Sequence, residues 1–361
     1  MSSTRQATTI PYTLTRVGVV MRPDTGDPNE VEGVLNPASG RAPDGTLYLL
    51  PRLVAKGNVS RVGLARVEVE DGVPVGVERE GVVLEPDRGW ERGVGHAGVE
   101  DPRVTRIDAL DCWVMTYVAF GPLGPRTALA VSDDLREWRR LGPALFTFDD
   151  ALDMDLNLFH NKDTTFFPEP VTAPDGTRSL AVLHRPMWNL DETKPGEGVR
   201  LPAGTTDPRQ SIWIAYIPLE AALADIRAIT LWGQSRLLAA PEFPFEALKI
   251  GGGPPPLRVP EGWLILHHGV TGEIETGTAF THQQKVNYAA GAMLLDADDP
   301  TIVLARTSEP LLAPETEEER SGIVPNVVFP TAIERVDGEH YVFYGMADSQ
   351  IGVARLDRTS A

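Results

Sequence analysis

The sequence predicts an all-β protein, a five-bladed β-propeller with a pocket at its centre. Three observations support this fold: a pair of strand-like segments recurs five times, helical patterns are few, and 34 Gly and 31 Pro occur in 361 residues. Frequent Gly and Pro indicate many short elements joined by turns. A pair of β-sandwiches or a mixed α+β fold is the alternative.

Each repeat begins with a segment in which apolar and polar residues alternate, as in a half-buried strand, and a second alternating segment follows. The first segments start 66 to 84 residues apart, which leaves room for about four strands per repeat, the size of a propeller blade. In chain order the pairs are GTLYLLPR (from Gly45) with SRVGLARVEV, CWVMTYVAF (from Cys112) with TALAVSDDLREW, RSLAVLHR (from Arg178) with SIWIAYIPL, GWLILHHG (from Gly262) with NYAAGAMLLD, and EHYVFYGMAD (from Glu339) with SQIGVARLD.

The segments outside the repeats do not divide the chain. PLEAALADIRAIT, from Pro218, has the periodicity of a short helix, and PETEEERSG, near Glu315, is typical of an exposed acidic loop rather than of a linker. We therefore expect a single domain over residues 1–361, with residues 1–29 as an N-terminal extension that packs on the propeller.

The charge balance narrows the choice of partners. The chain has 33 Lys and Arg against 51 Asp and Glu, a net charge of −18, which disfavours nucleic acid and anionic membranes as partners. The single cysteine, Cys112, excludes an intrachain disulfide and is expected in the core. Because neither a signal peptide nor a membrane-spanning apolar stretch is found, we expect a cytoplasmic protein.

The repeats also predict where polar residues meet. In a propeller the inner strands of all blades converge on a central tunnel, so residues at their ends come together although they are distant in sequence. These positions hold ionisable residues that could line a sugar-sized pocket. They are Arg52, Asp101, Arg185, His267, His268 and Asp348.

Two reactions of sugars fit a carboxylate such as Asp101 in GVEDPRVTRID. Inverting hydrolysis needs an acid and a base, for which Glu246 is a candidate, whereas phosphorolysis needs an acid and a group of cations that hold phosphate. Lys162, Lys249 and His268 are candidate cations. The ordinary alternatives are a turn-forming Asp101, solvated lysines and core histidines. Motifs of metal sites and of a P-loop are absent from the sequence.

The motifs, taken in order, resemble glycoside hydrolase family 130, which comprises mainly β-mannoside phosphorylases on a five-bladed propeller. The resemblance spans about residues 30 to 356. Its motifs are NPAS, LLPR, GVEDPRVT, NKDTTFFPE, LHRP, KIGGGPPP, GWLILHHGV, NYAAGAMLLDADDP, GIVPNVVFP and YGMADSQIGVA. It implies an inverting phosphorylase that converts β-1,2- or β-1,4-linked mannosides and phosphate to α-mannose 1-phosphate and a shortened sugar.

The resemblance also implies roles for single residues. Asp101 would be the general acid and would pass its proton through the 3-hydroxyl of the mannosyl residue. The implied phosphate ligands are Lys162, Lys249, His268, Arg126 and Tyr288. The implied substrate ligands are Asn36, Arg52, Arg103, Asp163, Arg185, His267 and Asp348. Glu100, next to Asp101, is expected to point elsewhere and to serve as scaffolding.

The implied partners are a β-mannoside oligosaccharide and inorganic phosphate as co-substrate, with no cofactor and no metal. A homo-oligomer is compatible with the resemblance, since relatives commonly form dimers or hexamers. Two other functions stay open. One is an inverting β-mannosidase on the same fold, in which water replaces phosphate, and the other is a non-catalytic carbohydrate-binding propeller.

Overall fold

The computed structural model describes residues 9–93, 95–190, 196–274 and 283–359. Nearly all regular elements within these ranges are strands. In chain order they are β1 (Tyr12–Met21), β2 (Gly33–Arg41), β3 (Leu47–Ala55), β4 (Val59–Glu70), β5 (Val73–Leu84), β6 (Ala97–Ile107), β7 (Cys112–Gly121), β8 (Gly124–Ser132), β9 (Arg139–Pro143), β10 (Leu145–Phe146), β11 (His160–Phe166), β12 (Val171–Thr172), β13 (Arg178–Met187), β14 (Ile212–Pro218), β15 (Leu231–Ala239), β16 (Lys249–Gly252), β17 (Leu257–Val259), β18 (Gly262–Glu273), β19 (Lys285–Leu295), β20 (Val303–Arg306), β21 (Val328–Val336), β22 (Glu339–Met346) and β23 (Gln350–Arg358).

The strands form five antiparallel blades. The first blade is β2 to β5, the second β6 to β9, the third is built on β11, β13, β14 and β15, the fourth on β16, β18, β19 and β20, and the fifth on β21, β22, β23 and β1. A short parallel pairing of Val59 with Ala97 and of Ser60 with Gly98 joins the first two blades at one edge. The predicted five-bladed propeller is therefore confirmed.

Both ends of the chain build the fifth blade. Strand β1 pairs in antiparallel register with β23, and Tyr12 lies opposite Arg358. The predicted N-terminal extension, residues 1–29, thus includes the outer strand of this blade, while residues 1–8 lie outside the described residues. The ring is closed by backbone hydrogen bonds between the first and the last described strands.

Apolar side chains fill the spaces between neighbouring blades. One buried cluster packs the second blade against the third around Trp213, and equivalent clusters fill the other four spaces, including that between the fifth and first blades around Phe343. Because the middle strands are covered on both faces, they read as nearly continuous apolar runs. Cys112 is buried in this core, as expected.

Helices are few and short among the described residues. The helix expected after Pro218 is present as α1 (Leu219–Ala224), and the acidic segment near Glu315 contains one helical turn, α2 (Glu317–Arg320). None of the described helices has the length and apolar character needed to cross a bilayer.

Candidate active site

A cavity of about 520 Å³ lies where the five blades converge. Each blade contributes to its wall, and most of the predicted site residues are brought together there. They are Asn36, Arg52, Asp101, Lys162, Asp163, Arg185, Lys249, His268, Tyr288 and Asp348. Three predicted residues, Arg103, Arg126 and His267, do not line the cavity.

A β-bulge aims a polar side chain at the cavity from each of the first three inner strands. Asn36, Asp101 and Asp163 have φ angles of 42°, 47° and 53°, and the pairing with the adjacent strand shifts register at each point. Asn and Asp adopt this left-handed conformation more readily than other residues with a side chain. A bulge redirects the side chains of its strand. The NP, DP and DT dipeptides of the motifs therefore mark these bulges.

The carboxylate of Asp101 is held by neighbours on the first blade. Its Oδ1 accepts hydrogen bonds from Asn36 Nδ2 at 2.8 Å and from Arg52 Nη1 at 3.1 Å. Burial alone would raise the pKa of Asp101, but Arg52, with Lys162 and Arg103, holds that pKa below its ordinary value. In the sugar-free cavity Asp101 is therefore ionised at neutral pH.

Glu100 also faces the cavity, so the expectation that it points elsewhere is wrong. Its Oε1 accepts from Arg52 Nη2 at 2.9 Å, and its Oε2 lies 3.6 Å from Lys162 Nζ. The bulge at Asp101 breaks the alternation of the strand, so two consecutive side chains turn to the same side. Lys162 consequently stands beside a carboxylate rather than among cations alone.

Asp348 is the third carboxyl group of this wall. It lies in the turn between β22 and β23 with a φ of 51°. Burial, together with the neighbouring Asp101 and Glu100, raises the pKa of Asp348 to about 7 against the opposing charges of Arg52 and Lys162. Near neutrality a large fraction of Asp348 is therefore protonated.

The opposite wall carries donors and cations from the third and fourth blades. Arg185 Nε donates to Asp163 Oδ2 at 2.5 Å, and His268 Nε2 lies 3.4 Å from the same oxygen. Lys249 Nζ lies 5.4 Å from the centre of the Tyr288 ring, and the Tyr288 hydroxyl donates to Gln283. Asp163, expected to bind substrate, thus holds the two cavity donors Arg185 and His268.

The protonation states of this wall follow from burial and from these contacts. Burial lowers the pKa of His268 to about 4, although Asp163 opposes the shift, so the imidazole is neutral at pH 7. Burial would raise the pKa of Asp163, but Arg185 and His268 hold it well below its ordinary value. Among the described residues, no group of three or more His, Cys, Asp and Glu side chains suits a metal ion.

Arg126, expected to bind phosphate, lies outside the cavity. Its Nη1 donates to the backbone carbonyl oxygens of Asn157 at 3.1 Å and of Phe159. These bonds tie β8 to the segment that enters the third blade. Arg126 is therefore not positioned to bind phosphate in this cavity.

Arg103 is buried beneath the bulge and does not reach the cavity. Its Nη1 donates to the carbonyl oxygens of Asp101 at 3.0 Å and Pro102 at 3.2 Å, while its Nε donates to that of Gly253 at 2.9 Å. Arg103 thus ties the backbone of the DPR motif to the fourth blade. Its place indicates a positioning residue rather than a substrate ligand.

His267 and Glu246 belong to the framework. Both are fully buried, His267 Nε2 lies 2.7 Å from Glu246 Oε1, and Arg306 Nη2 donates to Glu246 Oε2 at 2.9 Å. Strand alternation turns His267 away from the cavity that His268 lines. Glu246 therefore cannot act as the base of a hydrolase. The same arrangement recurs as Tyr117 with Glu91 and Arg140, and as Tyr344 with Glu319 and Arg16.

Several lining residues are not predicted by any sequence pattern. Asn58 Nδ2 lies 3.0 Å from His96 Nδ1, and Asn58 Oδ1 accepts from Arg52 Nη2 at 3.3 Å. Gln210 stands beside Arg185 on the opposite wall. These residues lie in segments that connect strands, where no periodic signal identifies the direction of a side chain.

The sequence profile of glycoside hydrolase family 130, described as beta-1,4-mannooligosaccharide phosphorylase, matches residues 4–192 and 208–359. The chain belongs to this family. Membership in family 130 confirms the predicted family and the predicted class of enzyme, a glycoside phosphorylase.

Characterised members of family 130 agree with this assignment. The chain is 31% identical over 264 residues to the 1,2-beta-oligomannan phosphorylase of a Thermoanaerobacter species, a match that covers 72% of this chain and 68% of that protein. It is 32% identical over 264 residues to the beta-1,2-mannobiose phosphorylase of the same organism, covering 72% and 67%. The solved structure of beta-1,2-mannobiose phosphorylase from Listeria innocua with beta-1,2-mannobiose has the same fold, with a TM-score of 0.69, 23% identity and 96% of each chain covered.

Proposed function

We propose that the protein is an inverting β-mannoside phosphorylase in which Asp101 is the general acid. Phosphate attacks the anomeric carbon of the terminal mannosyl residue, the glycosidic C–O bond breaks, and the products are α-mannose 1-phosphate and a shortened sugar. The observation that carries the proposal is that one cavity holds Asp101 on one wall and the donors Arg185, Lys249 and His268 on the other.

The proton of Asp101 has to be gained when the substrates bind. Arg52 and Lys162 keep the carboxylate ionised in the sugar-free cavity. A bound phosphate adds negative charge nearby, and a bound sugar excludes water, so both raise the pKa of Asp101. By the family resemblance, the proton then passes through the mannosyl 3-hydroxyl to the glycosidic oxygen.

The donors of the opposite wall suit a phosphate anion. Arg185 offers a planar fork of N–H groups and Lys249 a positive charge. His268 is a neutral imidazole 3.4 Å from Asp163, and its one N–H serves either Asp163 or phosphate. Asp163 orients two of these groups. Lys162, which Glu100 partly neutralises, contributes less attraction for phosphate than its motif alone implies. The ring of Tyr288 supports the Lys249 ammonium group.

The mannosyl ring is assigned to the wall that carries Asn36, Arg52 and Asp348, since amide, guanidinium and carboxyl groups bind sugar hydroxyls well. The substrate is a β-linked mannoside. The two Thermoanaerobacter relatives are named for β-1,2 linkages and the family description names β-1,4 linkages. Both therefore belong in the first substrate panel.

The decisive experiment compares product formation with and without phosphate. β-1,2- and β-1,4-mannobiose are incubated with the protein, and ³¹P and ¹H NMR follow the products. We expect α-mannose 1-phosphate, formed only when phosphate is present. Release of free mannose at a rate independent of phosphate would identify a hydrolase instead. Binding of the sugars without turnover would identify a carbohydrate-binding propeller.

Asp101→Asn tests the assignment of the acid. We expect kcat/KM for the mannoside to fall by about 10²- to 10⁴-fold, the usual contribution of a general acid. The fold should persist, because Asn has the same shape and Arg52 keeps its contact with Glu100. Circular dichroism and thermal unfolding check the fold.

The matched control is Asp108→Asn, which removes a carboxylate of the same motif whose side chain is 92% exposed. It should leave activity unchanged. Activity of Asp101→Asn close to that of the unaltered protein would refute the role of Asp101.

A further inference from the structure

Gln210 is fixed beside the donors of the phosphate wall. It lies two residues before the start of β14, and its backbone carbonyl oxygen accepts from Ile250 N at 3.0 Å, within a parallel bridge between Gln210 and Lys249. Its side chain lines the central cavity together with Arg185, Lys249 and His268. The backbone pairing therefore sets the position of Gln210 relative to Lys249.

The contact with Arg185 orients the amide group. Arg185 Nη1 donates to Gln210 Oε1. A guanidinium has only donors, so the amide oxygen has to face Arg185 and the NH₂ group has to face away from it. In the part of the chain that the structure describes, Gln210 Nε2 has no hydrogen-bond partner. The contact with Arg185 therefore fixes the direction of this N–H donor, which lies beside the other donors of the wall.

We propose that Gln210 Nε2 donates a hydrogen bond to the attacking phosphate, which makes Gln210 a specificity residue for phosphate over water. An uncharged NH₂ group binds a phosphate oxygen without drawing Asp163 away from Arg185 and His268. It also supplies a donor that Arg126, directed to the backbone elsewhere, does not. This inference rests on the proposed function, because it assigns Gln210 to the phosphate of that reaction.

Two variants test the proposal, Gln210→Ala and Gln210→Glu. The first removes the donor, and the second replaces it with a carboxylate that repels phosphate. We expect the KM for phosphate to rise by about 10- to 100-fold in Gln210→Glu and by a smaller factor in Gln210→Ala, while the KM for the mannoside changes less than twofold. Gln234→Glu, on β15 beside Asp175, adds the same charge away from the cavity and should leave both constants unchanged.

A second measurement does not depend on turnover. Inorganic phosphate, titrated against the resting protein and followed by thermal unfolding, should stabilise the unaltered protein and Gln234→Glu and should stabilise Gln210→Glu much less. If the unaltered protein binds phosphate and Gln210→Glu loses that binding, Gln210 is a phosphate ligand. If the reaction then proves to be hydrolysis, the proposed function fails and so does the role of Gln210 in selecting phosphate over water, while the phosphate contact itself stands. Unchanged phosphate affinity in both Gln210 variants would overturn it, as would a raised KM for the mannoside alone.

Discussion

Three carboxyl groups, Glu100, Asp101 and Asp348, line one wall of the cavity, and the cations beside them in the described part of the chain are Arg52 and Lys162. If all three were ionised, this wall would carry an uncompensated negative charge. Arg52 bonds directly to Glu100 and Asp101. Burial, with these two carboxylates nearby, raises the pKa of Asp348 to about 7, so Asp348 stays protonated below that pH and the negative charge of the wall is reduced. The charge of the cavity therefore changes within the physiological range of pH.

The binding affinity for a dianion such as sulfate measures this change in the charge of the cavity without any catalytic reaction. The charge of sulfate itself is constant from pH 8 to pH 6. Asp348 is mostly ionised at pH 8 and repels the anion, whereas at pH 6 it is mostly protonated. We therefore expect sulfate to bind about 3- to 10-fold more tightly at pH 6 than at pH 8. Isothermal titration calorimetry at the two pH values measures the difference.

Asp348→Asn is the matched control, since the amide is neutral at both pH values. Its affinity for sulfate should be the same at pH 6 and pH 8. His268, with a pKa of about 4, remains neutral throughout this range and does not add to the effect. A pH step that persists in Asp348→Asn would assign the titration to another group.

At the scale of elements, the bulges explain both what the sequence predicts of the site and what it misses. Asn36 and Asp163 were predicted from the family resemblance, and Asp101 also from its place near the end of an inner strand. Glu100 was misjudged because a bulge turns two successive side chains to the same face, which no alternating pattern conveys. The prediction that His267 binds substrate was wrong for the opposite reason. Side chains alternate regularly along this strand, so His267 points away from the cavity and contacts buried Glu246.

Four of the five blades each contain a buried glutamate that stabilises the blade. It lies just before the inner strand, accepts backbone N–H groups of its own loop, and pairs with an arginine from the outer strand of the same blade. The pairs are Glu30 with Arg79, Glu91 with Arg140, Glu246 with Arg306, and Glu319 with Arg16. A buried carboxylate with several donors is satisfied, whereas removal of one donor leaves a costly unpaired group.

His267→Tyr should therefore be tolerated. Tyrosine holds the equivalent place at Tyr117 and Tyr344, where its hydroxyl donates to the buried glutamate, and Gly291 leaves room opposite His267 as Gly352 does opposite Tyr344. We expect the free energy of unfolding to change by less than about 1 kcal/mol in His267→Tyr and to fall by about 1 to 3 kcal/mol in His267→Phe.

Urea unfolding of both variants at pH 7 measures this difference. The comparison isolates one hydroxyl group, since the two rings otherwise have the same size. Equal loss of stability in both variants would show that the ring, rather than the missing donor, disturbs the fourth blade.

For the whole molecule, the sequence predicted the number of blades and the convergence of their inner strands, because these depend on pairs of strand-like segments repeated along the chain. The alternation expected of half-buried strands is not observed, since the middle strands are buried on both faces. It did not predict that β1 completes the fifth blade, since Tyr12 and Arg358 pair across the whole chain and no local pattern encodes that register. Asn58, His96 and Gln210 were missed for a related reason. Connecting segments reach the cavity only once the ring has formed.

A titrating group, Glu334, lies at the interface between the fifth and first blades, outside the active site. Glu334 on β21 accepts a hydrogen bond from Ser39 Oγ on β2 at 2.9 Å. Both residues line a second cavity, of about 720 Å³, at the opposite ends of the inner strands. Burial raises the pKa of Glu334 from 4.5 to about 7, although Ser39 and Arg41 oppose the shift.

The sign of the effect on stability follows from this shift. Between pH 4.5 and about 7 the folded state holds a proton on Glu334 that the unfolded state has lost, so the contribution of Glu334 to stability falls as the pH rises through this range. Glu334→Gln keeps the acceptor for Ser39 and removes the charge. Relative to the unaltered protein, this variant should be equally stable near pH 4.5 and about 1 to 3 kcal/mol more stable at pH 8.

Urea unfolding of the variant and of the unaltered protein at both pH values measures this difference. The contributions of other titrating groups, such as Asp348, cancel because the two proteins share them. The control is Glu339→Gln, which removes the same charge from an exposed position on the adjacent β22 and should show the pH dependence of the unaltered protein. If Glu334→Gln gains nothing at pH 8, the carboxylate is solvated at this interface, and closure of the ring does not depend on its protonation.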